Sequence, residues 1–136
     1  MASREMTRWE TLVSDVPSLA TLSVFEEGGP LIVTVGDTSE PPQRFQFTFL
    51  SVFAYRRLRE EYLTSSWPDA QQSLGLGWTR KIESSSWISA LIADEPIFVL
   101  DGGARALHLM LCTEDAVLEV LTKAMPDVVR IQSVSA

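Results

Sequence analysis

"RFQFTFLSVFAYRRL", residues 44–58, is the stretch on which the fold turns. Its first half alternates strictly, with Phe45, Phe47 and Phe49 on one face and Gln46 and Thr48 on the other, the period of a strand with one buried face. From Ser51 onward two readings stand. The segment is either a helix capped by Ser51, which the propensities of Ala, Arg, Leu and Glu slightly favour, or a continuation of the strand. The same choice returns in "TEDAVLEVLTKAMPD", residues 113–127. Val117, Val120, Leu121 and Ala124 fit a helix capped by Thr113 with acids in its first turn, or a strand paired back on "HLMLC" through a Thr-Glu-Asp turn.

Upstream, "SREMTRWETLVSDVPSL" sets Met6, Trp9, Leu12 and Val13 at helical spacing, with Ser3 as N-cap and Pro17 beyond the end. This predicts an N-terminal amphipathic helix within residues 1–18. "LATLSVFEEGGPLIVTVGD" reads as two strands around a Gly-rich turn, and "TSEPPQ" as a loop whose prolines cannot donate to a ladder. Downstream, "SSWPDAQQSLGLG" is a loop and "WTRKIE" a strand. "SSSWISALIAD" is a Ser-capped helix over residues 85–93 that places Trp87, Ile88, Leu91 and Ile92 on a core-facing side. "PIFVL" reads as a strand, "DGGA" as a turn, and "RALHLMLC" as a strand that alternates Leu107, Leu109 and Leu111 with His108, Met110 and Cys112.

These elements predict one α+β domain over residues 1–136. It has a mainly antiparallel, twisted or half-closed sheet of about six to seven strands, an N-terminal helix over 1–18, and one or two short helices in a sheet-rich body over 19–136. Phe45, Phe47, Phe49, Leu107, Leu109 and Leu111 are its expected core.

The chain has 136 residues, 46% of them apolar and 21% charged, enough to bury a core without staples. Its single cysteine, Cys112, excludes an internal disulfide and sits in an apolar strand, which fits a buried thiol in a reducing compartment. No apolar run suits a signal peptide or a membrane span, so the expected location is cytoplasmic and no membrane contact is expected. The net charge of −7 disfavours nucleic acid, whose phosphates need an excess of cations. The charge is uneven: residues 1–42 carry two basic and seven acidic groups, residues 43–82 six and three, and residues 83–136 three and eight.

The order "FTFLSVFAYRRLREE", "WTRKIESSSWISAL", "HLMLCTEDAVLEVLTKAMPDV" resembles a broad group of small uncharacterised bacterial single-domain proteins, some of them assigned to toxin-immunity neighbourhoods. In that group a strand ending in an aromatic-Arg pair and an acid precedes a Ser-x-Trp segment and a His-led hairpin with an acidic turn. The resemblance implies that residues 53–58 continue the strand and that "AVLEVL" is a strand, in a mainly antiparallel sheet with two short helices.

Tyr55, Arg56 and Arg57, with Arg59, Glu60 and Glu61, are the densest charged group. They read either as arginines paired with those acids and with acids on neighbouring strands, or as a guanidinium site for a carboxylate or phosphate. His108 is the only histidine, and on a strand it stands roughly 13 Å by rise from Cys112, too far to share a metal ion. A hydrogen-bonded sheet histidine is therefore the first reading, and no metal or cofactor is expected. Trp67, between Ser66 and Pro68, is the tryptophan expected to be exposed, whereas Trp78 and Trp87 are expected to pack. No Gly-x-Ser-x-Gly elbow or phosphate loop is present.

The expected function is a non-catalytic binding protein of the immunity or inhibitor type. It would meet a basic protein partner through acidic turns at Glu26-Glu27, Asp94-Glu95, Glu114-Asp115 and Asp127, as a monomer or small homo-oligomer. The alternative is a small-molecule pocket lined by Phe53, Trp78 and Trp87, with an arginine anchoring an anionic group. An enzymatic role requires His108, an acid and an arginine to converge in one cleft.

Overall fold

A computed structural model describes residues 5–26, 28–59 and 75–131. Among the described residues, nine strands form two antiparallel sheets. β1 (Glu5–Arg8), β6 (Thr79–Glu83), β7 (Leu107–Cys112), β8 (Val117–Thr122) and β5 (Val52–Leu58) lie side by side in that order in a five-stranded sheet. β2 (Leu19–Glu26), β3 (Leu31–Asp37), β4 (Arg44–Phe49) and β9 (Asp127–Ile131) form a four-stranded one. Between β6 and β7 run α1 (Ser86–Asp94), α2 (Pro96–Leu100) and a 3-10 turn at Gly103–Arg105.

The inner faces of the two sheets meet in one core. Val33, Val35, Phe45, Phe47 and Phe49 of the four-stranded sheet pack with Leu109, Leu111, Leu118 and Val120 of the other. Period-two alternation on β3, β4, β7 and β8 supplies both apolar faces. Phe47 and Phe49 stack at 6.5 Å, and the edge of Trp9 meets Phe47 at 5.8 Å. Leu109 and Leu111 are fully buried and Leu107 packs at the border, as the alternation predicts.

This architecture corrects the α+β expectation: the molecule is mostly antiparallel sheet, and its two short helices lie in the middle of the chain. The expected N-terminal helix is not formed. Met6 pairs with Ile82 as β1 adds to the edge of β6, Trp9 donates its N–H to the carbonyl of Thr79, and Thr11–Val16 turns back on itself through Ser14 N–H to Thr11 O and Val16 N–H to Val13 O. Met6, Trp9 and Val13 each find apolar partners this way, so helical spacing at the ends of a short run was coincidental. Residues 1–4 lie outside the described residues.

"PIFVL" is likewise a helix rather than a strand. Pro96 fits a first helical turn, and β7 and β8 already have a neighbour along each edge, leaving the segment no inner ladder to join. The helix expected over 85–93 forms at Ser86–Asp94 with Ser85 as its N-cap, yet no residue of it is buried. The two ambiguous segments both resolve as strands. "AVLEVL" returns on β7 through a turn closed by Thr113, whose Oγ1 donates to the Ala116 carbonyl and accepts from its N–H.

One irregularity places the site. Leu50 and Ser51 carry the chain from β4 into β5, and β5 then bulges at Phe53: Val52 opposes Thr122, but Ala54 opposes Leu121. A regular ladder would set Tyr55 opposite Glu119. The extra residue sets Arg56 there instead, because one residue of slip exchanges the faces of a strand.

Candidate functional site: an Arg-Glu-His-Ser cluster under an apolar helix pair

The outer face of the five-stranded sheet carries Arg56, Glu119 and His108 on adjacent strands, because Arg56 pairs with Glu119 and His108 with Leu121 two residues along. Glu119 sits within the apolar run of β8, fully buried, and a carboxylate there must be paired. It is. Arg56 donates from Nε to Oε2 at 3.1 Å and from Nη2 to Oε1 at 3.2 Å, while His108 Nε2 lies 2.6 Å from Oε1. On the other side of the ring, Nδ1 lies 2.7 Å from Ser85 Oγ, and that oxygen accepts the Ile88 N–H at 3.1 Å as the cap of α1.

One proton arrangement satisfies every atom in this chain. The Nε2–H donates to Glu119, Nδ1 accepts the Ser85 hydroxyl, and the Ser85 oxygen accepts from Ile88. Trp87, on the first turn of α1, closes the cluster from above: the Arg56 guanidinium stacks 4.1 Å from its ring centroid, and its ring meets that of His108 edge-on at 5.5 Å. The polar cluster therefore fastens α1 to the sheet through a cap, a relay and a cation-π contact.

A serine, a histidine and a glutamate in one hydrogen-bonded row hold the parts of a nucleophile relay. Their surroundings hold them closed in. Ser85, His108 and Glu119 are 7%, 2% and 1% exposed, and the Ser85 oxygen already takes the Ile88 N–H, so in this conformation no reacting carbon has an approach to it. Convergence of a histidine, an acid and an arginine is met, but in a closed cluster and not in a cleft.

Arg56, Trp87 and His108, three of the residues singled out from sequence, thus come together. Tyr55 points to the opposite face of β5, and Arg57 makes an exposed ion pair with Asp115 at 2.9 Å. Trp67, Glu60 and Glu61 lie outside the described residues. Sequence reasoning missed Ser85 and Glu119. The signal for Glu119 was present, since a single acid inside "VLEVL" on a central strand demands a buried cation or donor, and the only histidine lies on the next strand. Of the rings expected to share a pocket, Phe53 lies edge-on to Phe98 at 4.9 Å, Trp78 donates Nε1–H to the Val16 carbonyl, and Trp87 covers the cluster. No group of three or more metal-ligating side chains occurs among the described residues, and none of their helices is long and apolar enough to cross a membrane.

Above the cluster the helix pair is unusually apolar on its outside. Ile97 and Leu100 are 74% and 85% exposed, with Ile92 and Val99 beside them, and these four are among the ten large apolar side chains exposed among the described residues. Only Phe98 of α2 reaches inward, onto Phe53 and against Gly103, where a Cβ would collide with its ring. Asp94, Glu95 and Asp101 border the patch, and no salt bridge reaches them among the described residues. Of the other acids, Glu10 and Asp15 share Arg8, Asp115 takes Arg57, and Glu114 accepts the Ser18 hydroxyl. The two partners of Arg8 hold its guanidinium above the usual arginine range, its hydrogen bond to Asp15 contributing most.

In comparisons with known proteins, no family model, no curated protein and no solved structure matches this chain.

Proposed function

We propose that this protein is a non-catalytic binding protein of the immunity or inhibitor type, and that α1 and α2 are the element with which it grips a basic protein partner. The observation that carries the reading is the helix pair itself: Ile92, Ile97, Val99 and Leu100 stand in solvent on a segment anchored rigidly from beneath. Apolar patches of this kind mark contact sites, and the acids Asp94, Glu95 and Asp101 around this one select a partner with positive charge at its rim. A second copy of this chain would bring like charges together, so the complement is a different protein. The net charge of −7 favours the same encounter.

The test is co-purification from the native cell at low and high salt with the wild type and with the double variant Ile97→Asp/Leu100→Asp. A basic protein retained by the wild type, weakened by salt and lost from the variant is the expected result. If no protein distinguishes the two baits while both stay folded, the helix pair is not a binding element.

A further inference from the structure

We propose that the β3–β4 loop and β9 form a second, independent site, one that takes a small zwitterion: a free amino acid or short peptide whose ammonium meets Glu40 and whose carboxylate meets Arg130. A cavity of about 440 Å³ lies between the loop and the strand, with Glu40, Pro41 and Pro42 on one wall and Arg130 and Ile131 on the other. It belongs to the four-stranded sheet, whereas α1 and α2 cover the five-stranded one, so it stands apart from the proposed docking element.

The loop is held in place from within. Asp37 Oδ1 accepts the N–H groups of Ser39 at 3.0 Å and Gln43 at 2.7 Å, Oδ2 accepts the Ser39 hydroxyl at 3.0 Å, and the Asp37 N–H returns to the Gln43 carbonyl at 3.0 Å. Asp37 is thereby occupied with the loop, and the wall carrying Glu40 is set before any ligand arrives.

Two opposite charges in one cavity would ordinarily pair. Here Glu40 and Arg130 make no ion pair with one another or with any other described residue, although Arg130 stands near enough to Asp37 to act on its charge. A simple anion drawn by Arg130 is repelled by Glu40, and a simple cation drawn by Glu40 is repelled by Arg130. A molecule that carries both charges satisfies both walls, and the guanidinium fork suits a carboxylate in particular. Pro41, Pro42 and Ile131 offer apolar surface for an aliphatic body between the charged ends.

Isotope-labelled protein titrated at low salt with leucine and with leucyl-leucine gives the test, read from the backbone amides of Gln43 and Ile131. Saturable shifts are expected with at least one of the two, and whichever saturates at lower concentration separates a free amino acid from a peptide. N-acetyl-leucine and leucinamide, each lacking one charge, should bind about tenfold more weakly or worse, as should leucine to Arg130→Gln and to Glu40→Gln. The spectra of both variants should otherwise match the wild type, since both side chains are exposed. Absence of saturable shifts with both zwitterions overturns the proposal, and so does binding of N-acetyl-leucine as tight as that of leucine, which would mark a plain anion site.

Discussion

At the scale of single residues, the buried carboxylate of Glu119 is the most demanding group in the molecule. Its partners Arg56 and His108 were chosen from sequence as part of the densest charged group and as a lone sheet histidine, and each was legible as a residue of interest. Their meeting was not legible, because it depends on which residue faces which across β5, β8 and β7. Removing Glu119 leaves the buried His108 without its acceptor and the half-exposed Arg56 without its carboxylate, so Glu119→Ala should cost about 3 kcal/mol of stability in urea denaturation. A loss below about 1 kcal/mol would show that the cluster is not holding α1 to the sheet. Asp37 gives a second expectation. Burial alone would raise its pKa, but the Gln43 and Ser39 donors and the nearby Arg130 outweigh it and hold the carboxyl below its ordinary value of 3.8. A depressed carboxyl contributes stability above its unfolded pKa and loses it as pH falls through the folded one. Asp37→Ala should therefore be less stable than wild type by about 2 kcal/mol at neutral pH, and the gap should narrow as the wild type is titrated well below pH 3.8. A gap that stays constant down to acid pH would assign the loop's stability to something other than this charge.

Among elements, strands with strict alternation were read correctly from sequence, and the helices show where that reading runs out. β4 announces itself because burial on one face needs period two and nothing competes, and β7, though buried on both faces, still sets Leu107, Leu109 and Leu111 on its core side. The N-terminal segment had the right apolar residues at the right spacing for a helix, but the open edge of β6 offered a ladder to the same backbone and took it. The bulge at Phe53 has no sequence signature at all, and it decides that Arg56 and not Tyr55 faces Glu119. The helix over 85–93 was expected to bury its Trp87, Ile88, Leu91 and Ile92 side; instead Ile92 remains 41% exposed and the apolar character continues outward into α2. Because Ile97 and Leu100 contribute almost nothing to the core, the double aspartate variant proposed above should unfold within about 0.5 kcal/mol of wild type while losing its partner. A marked loss of stability would mean that these side chains serve the fold.

For the molecule as a whole, the sandwich rests on a core shared by both sheets, and its charges are arranged around that core more than through it. Among the described arginines, Arg8, Arg56 and Arg57 pair with the protein's own acids. The far side of the five-stranded sheet has a smaller cluster of its own, in which Cys112 is 2% exposed beside Ile82, Met110 and Val117. Being the chain's single thiol, it makes a kinetic clock for this face: a disulfide reagent added in excess can react only in the moments when the cluster opens, so the reaction rate counts those openings. In native buffer that rate should be on the order of a thousandfold slower than in denaturant. A rate near the denatured one would mean that the outer cluster breathes freely while the sandwich beneath it stays shut.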